Sequence, residues 1–200
     1  DIQEKLEFKT KKVIKSSFYR KELSYVVLEQ EDKDSKIIQV LNRVKGSAII
    51  YCRTRKETKR IQTILSEHGV SSHYYHAGLD IIERESKQKQ WLLNHVRVMV
   101  ATNAFGMGIN NRHVRLVIQY GCSSDLTSYY QEIGRAGRDG EKSECHLFHS
   151  ANDTRLNRYF MSQIEDQEFK EYKEQQILKM EKYLFTHMCR RKYILHYFGE

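Results

Sequence analysis

The stretch Ser47–Tyr75, "SAIIYCRTRKETKRIQTILSEHGVSSHYY", decides the fold. It opens on Ser47–Cys52, an apolar and β-prone run that is nearly continuous rather than alternating. Such a run suits a strand buried on both faces of a parallel sheet. From about Arg55 to His68 the period changes, with Ile61, Ile64 and Leu65 on one helical face and Gly69 as a stop. Ser72–Tyr75 then turns β-like again. Strand, helix, strand in that order is a βαβ unit.

Outward from this unit the pattern repeats. Val96–Ala101 and Val114–Tyr120 are two more near-continuous apolar runs, and Leu23–Gln30 and Glu144–His149 are weaker strand candidates. Helix-like segments fall at Ile81–Asn94 and Leu126–Ile133. Alternation at this spacing predicts an α/β fold, a doubly wound parallel sheet with helices on both faces. After about Ala151 the texture changes. Ile177, Met180, Leu184 and Met188 recur at spacings of three and four, so a second, all-helical element is expected from near Asp153. The expected units are therefore residues 1–152 and 153–200.

Composition narrows the function classes. Lys and Arg total 34 against 26 acidic residues, a net charge of +8. That balance suits an anionic partner such as nucleic acid, and equally an ordinary basic surface. No run approaches the ~18 apolar residues of a membrane span, and "DIQEKLEFKTKK" lacks the apolar core of a signal peptide. The start without Met reads as an internal cut of a longer chain. Cys52, Cys122, Cys145 and Cys189 are far apart, without Cys-x-x-Cys spacing, which favours a reducing, intracellular setting over a disulfide framework. The chain has no proline, so its elements must stop through glycine and polar caps.

Open α/β sheets bind ligands at the carboxyl ends of their strands. After Cys52 comes "RTRKE", where Thr54 and Glu57 form a capping-box pattern flanked by Arg53 and Arg55. It reads either as a phosphate site at a helix N-terminus or as a plain cap on a basic helix. After Tyr75 comes "HAGLD", in which His76 can donate to a phosphate, Gly78 allows a tight turn, and Asp80 with Glu83 repeats the capping pattern. After Ala101 comes "TNAFGMGIN", whose two glycines leave room for close backbone approach to a ligand. No Walker A loop is present anywhere. Finally, "YYQEIGRAGRDG", Tyr129–Gly140, sets Arg135 and Arg138 on a glycine-punctuated turn after a short helix. Two such guanidiniums fit either phosphate oxygens outside their own domain or the last carbonyls of the helix before them.

Taken together, "IIYCRTR", "YYHAGLD", "VMVATNAFGMGIN" and "YYQEIGRAGRDG" closely resemble the second RecA-like lobe of RecQ-family DNA helicases, in superfamily two. The last two blocks separate RecQ from RNA helicases of that superfamily, whose final motif usually begins His-Arg. The resemblance extends to "CRRKYILHYFGE", which looks like the start of the family's zinc-binding helical subdomain.

The resemblance implies a RecA-like lobe of an ATP-driven 3′-to-5′ DNA helicase acting in repair and recombination. ATP and Mg2+ would be bound mainly by a first lobe that this chain lacks, and the chain alone would not hydrolyse ATP. By motif match, Arg138 is the arginine finger on the γ-phosphate and Arg135 shares that cleft. Gly108, Asn110 and Gln131 would face the nucleotide. Thr54, Arg55, His76, Gly78 and Thr102 would line the single-strand DNA track. Cys189 matches the first of four zinc cysteines, and one thiolate cannot hold a structural zinc that wants four ligands, so none is expected on this chain alone.

The sequence departs from the family at "FYRKEL", at Asn111-Arg112-His113 and at Gly121-Cys122-Ser123, where proline-containing motifs are usual. Two rival readings stand beside this one: a lobe of another superfamily-two translocase such as an RNA helicase, and a non-catalytic nucleic-acid-binding or interaction module.

Overall fold

The computed structural model describes residues 2–10, 14–106, 109 and 111–200. In chain order its elements are α1 (Ile2–Lys5), β1 (Leu23–Glu29), α2 (Lys33–Arg43), β2 (Ser47–Cys52), α3 (Arg55–Glu67), β3 (Ser72–Tyr75) and α4 (Ile81–Leu92). There follow β4 (Val98–Ala101), β5 (Val114–Tyr120), α5 (Leu126–Ile133), β6 (Ser143–His149), α6 (Ala151–Ser162), α7 (Gln167–Phe185) and α8 (Arg190–Tyr197). The six strands form one sheet in the order β1-β6-β5-β2-β4-β3. Every pairing is parallel.

β2 lies inside the sheet and is buried along its whole length, which is why its sequence does not alternate. Ile49 and Tyr51 pack with Met99, Val117 and Leu147 in one core. Ala48 and Ile50 pack with Val98, Val100, Leu116 and Ile118 in the other. β1 is an edge strand with mostly half-exposed residues, so its apolar signal is diluted. Sequence reading overlooked α2. Asp32 caps it by accepting from the Ser35 amide at 3.1 Å, and Ile37, Val40 and Leu41 bury one face at helical spacing. Two boundaries move inward: β4 starts at Val98, and α4 stops at Leu92, after which Asn94 takes φ +58°.

The C-terminal helices share the core of the sheet. Met180 and Tyr183 of α7 and Ile194 of α8 are buried with Tyr129 and Cys145. The Tyr183 hydroxyl donates to that of Tyr129 at 3.2 Å. At the start of α6, Ser150 and Asp153 form a reciprocal capping box. The same carboxylate receives Lys33 Nζ at 2.7 Å, with Lys33 only 7% exposed. Among the described residues, no helix is long and apolar enough to cross a membrane.

Ile49 carries the central packing and is fully buried. Ile49→Ala is expected to cost about 3–4 kcal/mol, within the range for deep aliphatic truncation, with an unchanged urea m-value. A loss under ~1 kcal/mol in urea denaturation would mean that the sheet closes around the gap.

Candidate functional site

β2 runs on to α3 and β3 on one side, while β5 runs on to α5 and β6 on the other. The crevice between their carboxyl ends is the topological switch point, where such sheets take ligands. It is lined by Arg53, Asn103, Gln119, Ser123, Ser128 and Glu132. Glu132 accepts from Gln119 Nε2 at 2.7 Å and from Ser123 Oγ at 3.3 Å. Burial pushes its pKa up to about 7, against the pull of these hydrogen bonds. Arg53 donates to the Cys122 carbonyl and to Asn157 Oδ1 at 2.8 Å, tying α6 to the mouth of the crevice.

The turn after α5 is built by glycine. Gly137 has φ +62° and Gly140 φ +85°, and a Cβ at Gly137 would lie 2.9 Å from Glu22 Cγ. Arg135 Nη1 donates to the Gly106 carbonyl at 2.5 Å, and its guanidinium lies flat over Gly106, whose φ is +138°. Arg138 Nη1 donates to the Ile109 carbonyl at 3.1 Å, and its Nε reaches Gly134 O at 3.3 Å. The two motifs singled out from sequence are therefore physically joined: the arginine turn grips the loop that follows β4. Of the two plain readings of the arginines, helix capping is partly realised, through Gly134. Burial and the neighbouring guanidiniums of Arg135 and Arg20 hold the Arg138 pKa below its ordinary value. Asp139 pairs with Arg115 of β5 and accepts from the Glu141 amide at 3.1 Å, pinning the far side of the turn.

A second cluster sits at the ends of β2, β3 and β4. Thr54 Oγ1 accepts from the Glu57 amide at 3.2 Å, but Glu57 reaches back to the amide of Arg53 at 3.3 Å, one residue before the expected partner. Asp80 caps α4 through the Glu83 amide at 2.8 Å, while Glu83 pairs with Lys87 at 2.7 Å instead of closing a box. Gly78 is not in a left-handed conformation. Its value is space: a Cβ there would lie 2.6 Å from Arg55 Nη1, so Arg55 lies across the loop. His76 is 5% exposed, and neither ring nitrogen has a hydrogen-bond partner among the described residues. Desolvation, with Lys59 and Arg55, holds its pKa below the ordinary histidine value. Arg55, not His76, thus holds the exposed position. Thr102 is buried and bonded through its backbone to Tyr75 O at 3.1 Å.

Gly108 and Asn110 lie outside the described residues. Gln131 is exposed on α5, away from the crevice that Glu132 faces. Cys189 is exposed as the N-cap residue of α8, its thiol pulled down by the amides of Lys192 and Arg191. No group of three or more His, Cys, Asp or Glu side chains is placed to hold a metal among the described residues. One thiolate does not fit a structural zinc, which needs four ligands. Sequence reading missed Arg20 and Glu132 as members of the site, and named Arg53 only as a flank of the Thr54 cap. Glu132 stood inside a quoted motif, and only its burial marks it out.

Comparison with known proteins agrees with this architecture. Residues 32–140 match the family model described as the helicase conserved C-terminal domain, and residues 151–200 match that for RecQ zinc-binding. An Acanthamoeba polyphaga mimivirus protein with the provisional name ATP-dependent RNA helicase R290 is 41% identical over all of this chain and 37% of its own. The mouse bifunctional 3′-5′ exonuclease/ATP-dependent helicase WRN is 44% identical over 78% of this chain and 11% of its own. The Bacillus subtilis ATP-dependent DNA helicase RecQ is 38% identical over all of this chain and 34% of its own. The chain thus spans little more than a third, at most, of these relatives. Among solved structures, the Escherichia coli DEAD-box protein SrmB superposes with a TM-score of 0.60 at 23% identity over 72% of this chain and 86% of that one. That likeness concerns the fold alone.

Glu132 yields a pH-dependent expectation. Its folded-state pKa of about 7 lies above the ordinary 4.5, so above pH 7 the carboxylate is charged in both states but desolvated only in the fold, and between 4.5 and 7 the fold alone holds the proton. Stability from this group rises as pH falls from about 7 towards 4.5. Glu132→Gln is expected to stabilise the protein at pH 8 by on the order of 1–3 kcal/mol, and by less at pH 5.5. Equal effects at both pH values in urea denaturation would contradict the assignment.

Proposed function

Since this chain belongs to the RecQ family of superfamily-two helicases, whose C-terminal motor lobe it forms, we propose that it completes the active site of an ATP-dependent 3′-to-5′ DNA helicase. The observation that carries this reading is the arginine turn: Arg138 is exposed beside an open depression, while the loop after β4 and Arg115 of β5 brace the turn from both sides. A braced guanidinium at a domain surface suits an anion presented by another domain.

In the proposed mechanism a first lobe supplies the phosphate-binding loop and the Mg2+ site. On closure, Arg138 exchanges the Ile109 carbonyl for γ-phosphate oxygens and stabilises the charge that develops during transfer. Arg135 stays on Gly106 and transmits the shift to the loop after β4. That loop leads from Thr102, which is bonded to the end of β3, so ATP state and strand track share one piece of backbone. Arg55 and the Thr54 end of α3 meet the backbone of a single strand, with His76 and Gly78 beneath Arg55. Contacts of this kind are sequence-independent and salt-sensitive. Gly108, Asn110 and Gln131 are assigned to the nucleotide by motif alone, and Cys189 to zinc as one of four ligands in the full-length protein. On this reading the chain by itself does not turn over ATP. The mimivirus relative's name favours RNA as a second substrate, which duplex unwinding with DNA and RNA in parallel decides.

In the full-length protein, Arg138→Ala is expected to lower DNA-stimulated ATP turnover by roughly 10³-fold or more, the scale of an arginine finger, with ATP binding retained. Unchanged turnover would reduce Arg138 to a helix cap. Arg55→Ala is expected to weaken single-strand DNA binding and to reduce the slope of log affinity against log salt by about 0.7, one phosphate contact. An unaltered slope in fluorescence anisotropy titrations would remove Arg55 from the track.

A further inference from the structure

The arginine turn is held from a direction that the motif does not include. Arg20, three residues before β1, sends Nη2 to the Ala136 carbonyl at 2.9 Å and Nη1 to the Gly134 carbonyl at 3.4 Å. These carbonyls flank Arg135. Gly134 O also receives Arg138 Nε at 3.3 Å, so Arg20 and Arg138 converge on one acceptor. Arg20 is itself fixed by Glu22, whose carboxylate pairs with its Nε; the side chains are 25% and 11% exposed. Glu22 presses against Gly137, and its own carbonyl accepts from the Ser143 amide at 2.9 Å at the start of β6. Arg20, Glu22, Gly137 and Arg138 then line the same depression.

We propose that Arg20 is a positioning residue for Arg138, locking the carbonyls of the turn and setting the direction in which the Arg138 guanidinium points. Two physical effects act together. The planar fork of Arg20 spans the Ala136 carbonyl, for which it is the donor, and the Gly134 carbonyl, which it shares with Arg138. Its charge repels Arg138, as the lowered Arg138 pKa reflects after burial and Arg135, and turns that side chain outward towards an incoming anion. Glu22 pairs with Arg20 at Nε and leaves both Nη groups to the carbonyls of the turn. The inference rests on the arginine-finger reading of Arg138.

The test is a double-mutant cycle on ATP turnover by the full-length protein. Arg20→Gln is expected to lower kcat by about ten- to a hundredfold, with KM for ATP within about threefold of wild type. In an Arg138→Ala background the same change is expected to alter kcat by less than about twofold, because Arg20 acts through Arg138. Arg20→Lys keeps the charge beside Glu22 but cannot span both carbonyls. It is expected to fall between, and it replaces Arg20→Gln in the cycle should that variant fail to fold. Wild-type kcat in the Arg20 variants, or losses that multiply with that of Arg138→Ala, would overturn the inference while leaving the finger reading intact. Wild-type turnover by Arg138→Ala would overturn both.

Discussion

Burial of β2 on both faces drives the polar chemistry of this chain to its ends. A strand flanked by β5 and β4 and covered above and below by apolar side chains has no solvent-facing position for a functional residue. Polar groups can sit only where the strand stops, and parallel strands all stop on the same side. Arg53, Thr54, His76 and Thr102 therefore gather along one edge although they are spread widely through the chain. The arginine turn lies towards the other end of the sheet: α5 leaves the carboxyl end of β5 and returns the chain to the start of that strand, where the Gly137 amide donates to the Val114 carbonyl at 3.0 Å.

Glycine makes the convergence of the two motifs possible. Gly106 offers its bare face to the Arg135 guanidinium, and Gly137 lets Glu22 approach the turn from outside. Side chains at either place would push apart the loop after β4, the turn after α5 and the segment before β1. The arginines then bind backbone carbonyls of the loop after β4 and of the end of α5 instead of carboxylates. This gives two cations a defined direction without neutralising their charge.

The helical region is not an appendage hung on a finished lobe. Tyr183 fills the space beside Tyr129, Lys33 reaches Asp153, and Arg53 reaches Asn157. Phe18 stacks on Phe198 at 4.4 Å, and Tyr130 donates to the Phe18 carbonyl at 2.7 Å. The segment before β1 and the end of α8 thus meet against α5, whose C-terminus carries the arginines. Tyr130 also meets the Phe198 ring at 5.0 Å between centroids.

The alternation of strand and helix, the central strands and the helices α3, α4 and α5 were legible in the sequence because they rest on local periods and caps. β1 was weak because it is half-exposed at the edge, and α2 was missed although Asp32 caps it and Ile37, Val40 and Leu41 share one buried face. Which residues meet was decided only by tertiary structure. Nothing near Arg20 in the chain points to Gly134 or Ala136, since the parallel pairing of β1 with β6 brings them together across more than a hundred residues. Glu132 reads as one more acidic residue on a helix until Gln119 and Ser123 enclose it. His76 reads as a phosphate donor until Arg55 is seen lying across its loop. Sequence determined the kinds of groups and the elements that carry them. Burial and contact between distant segments, which depend on how parallel strands order themselves in the sheet, determined what each group can do.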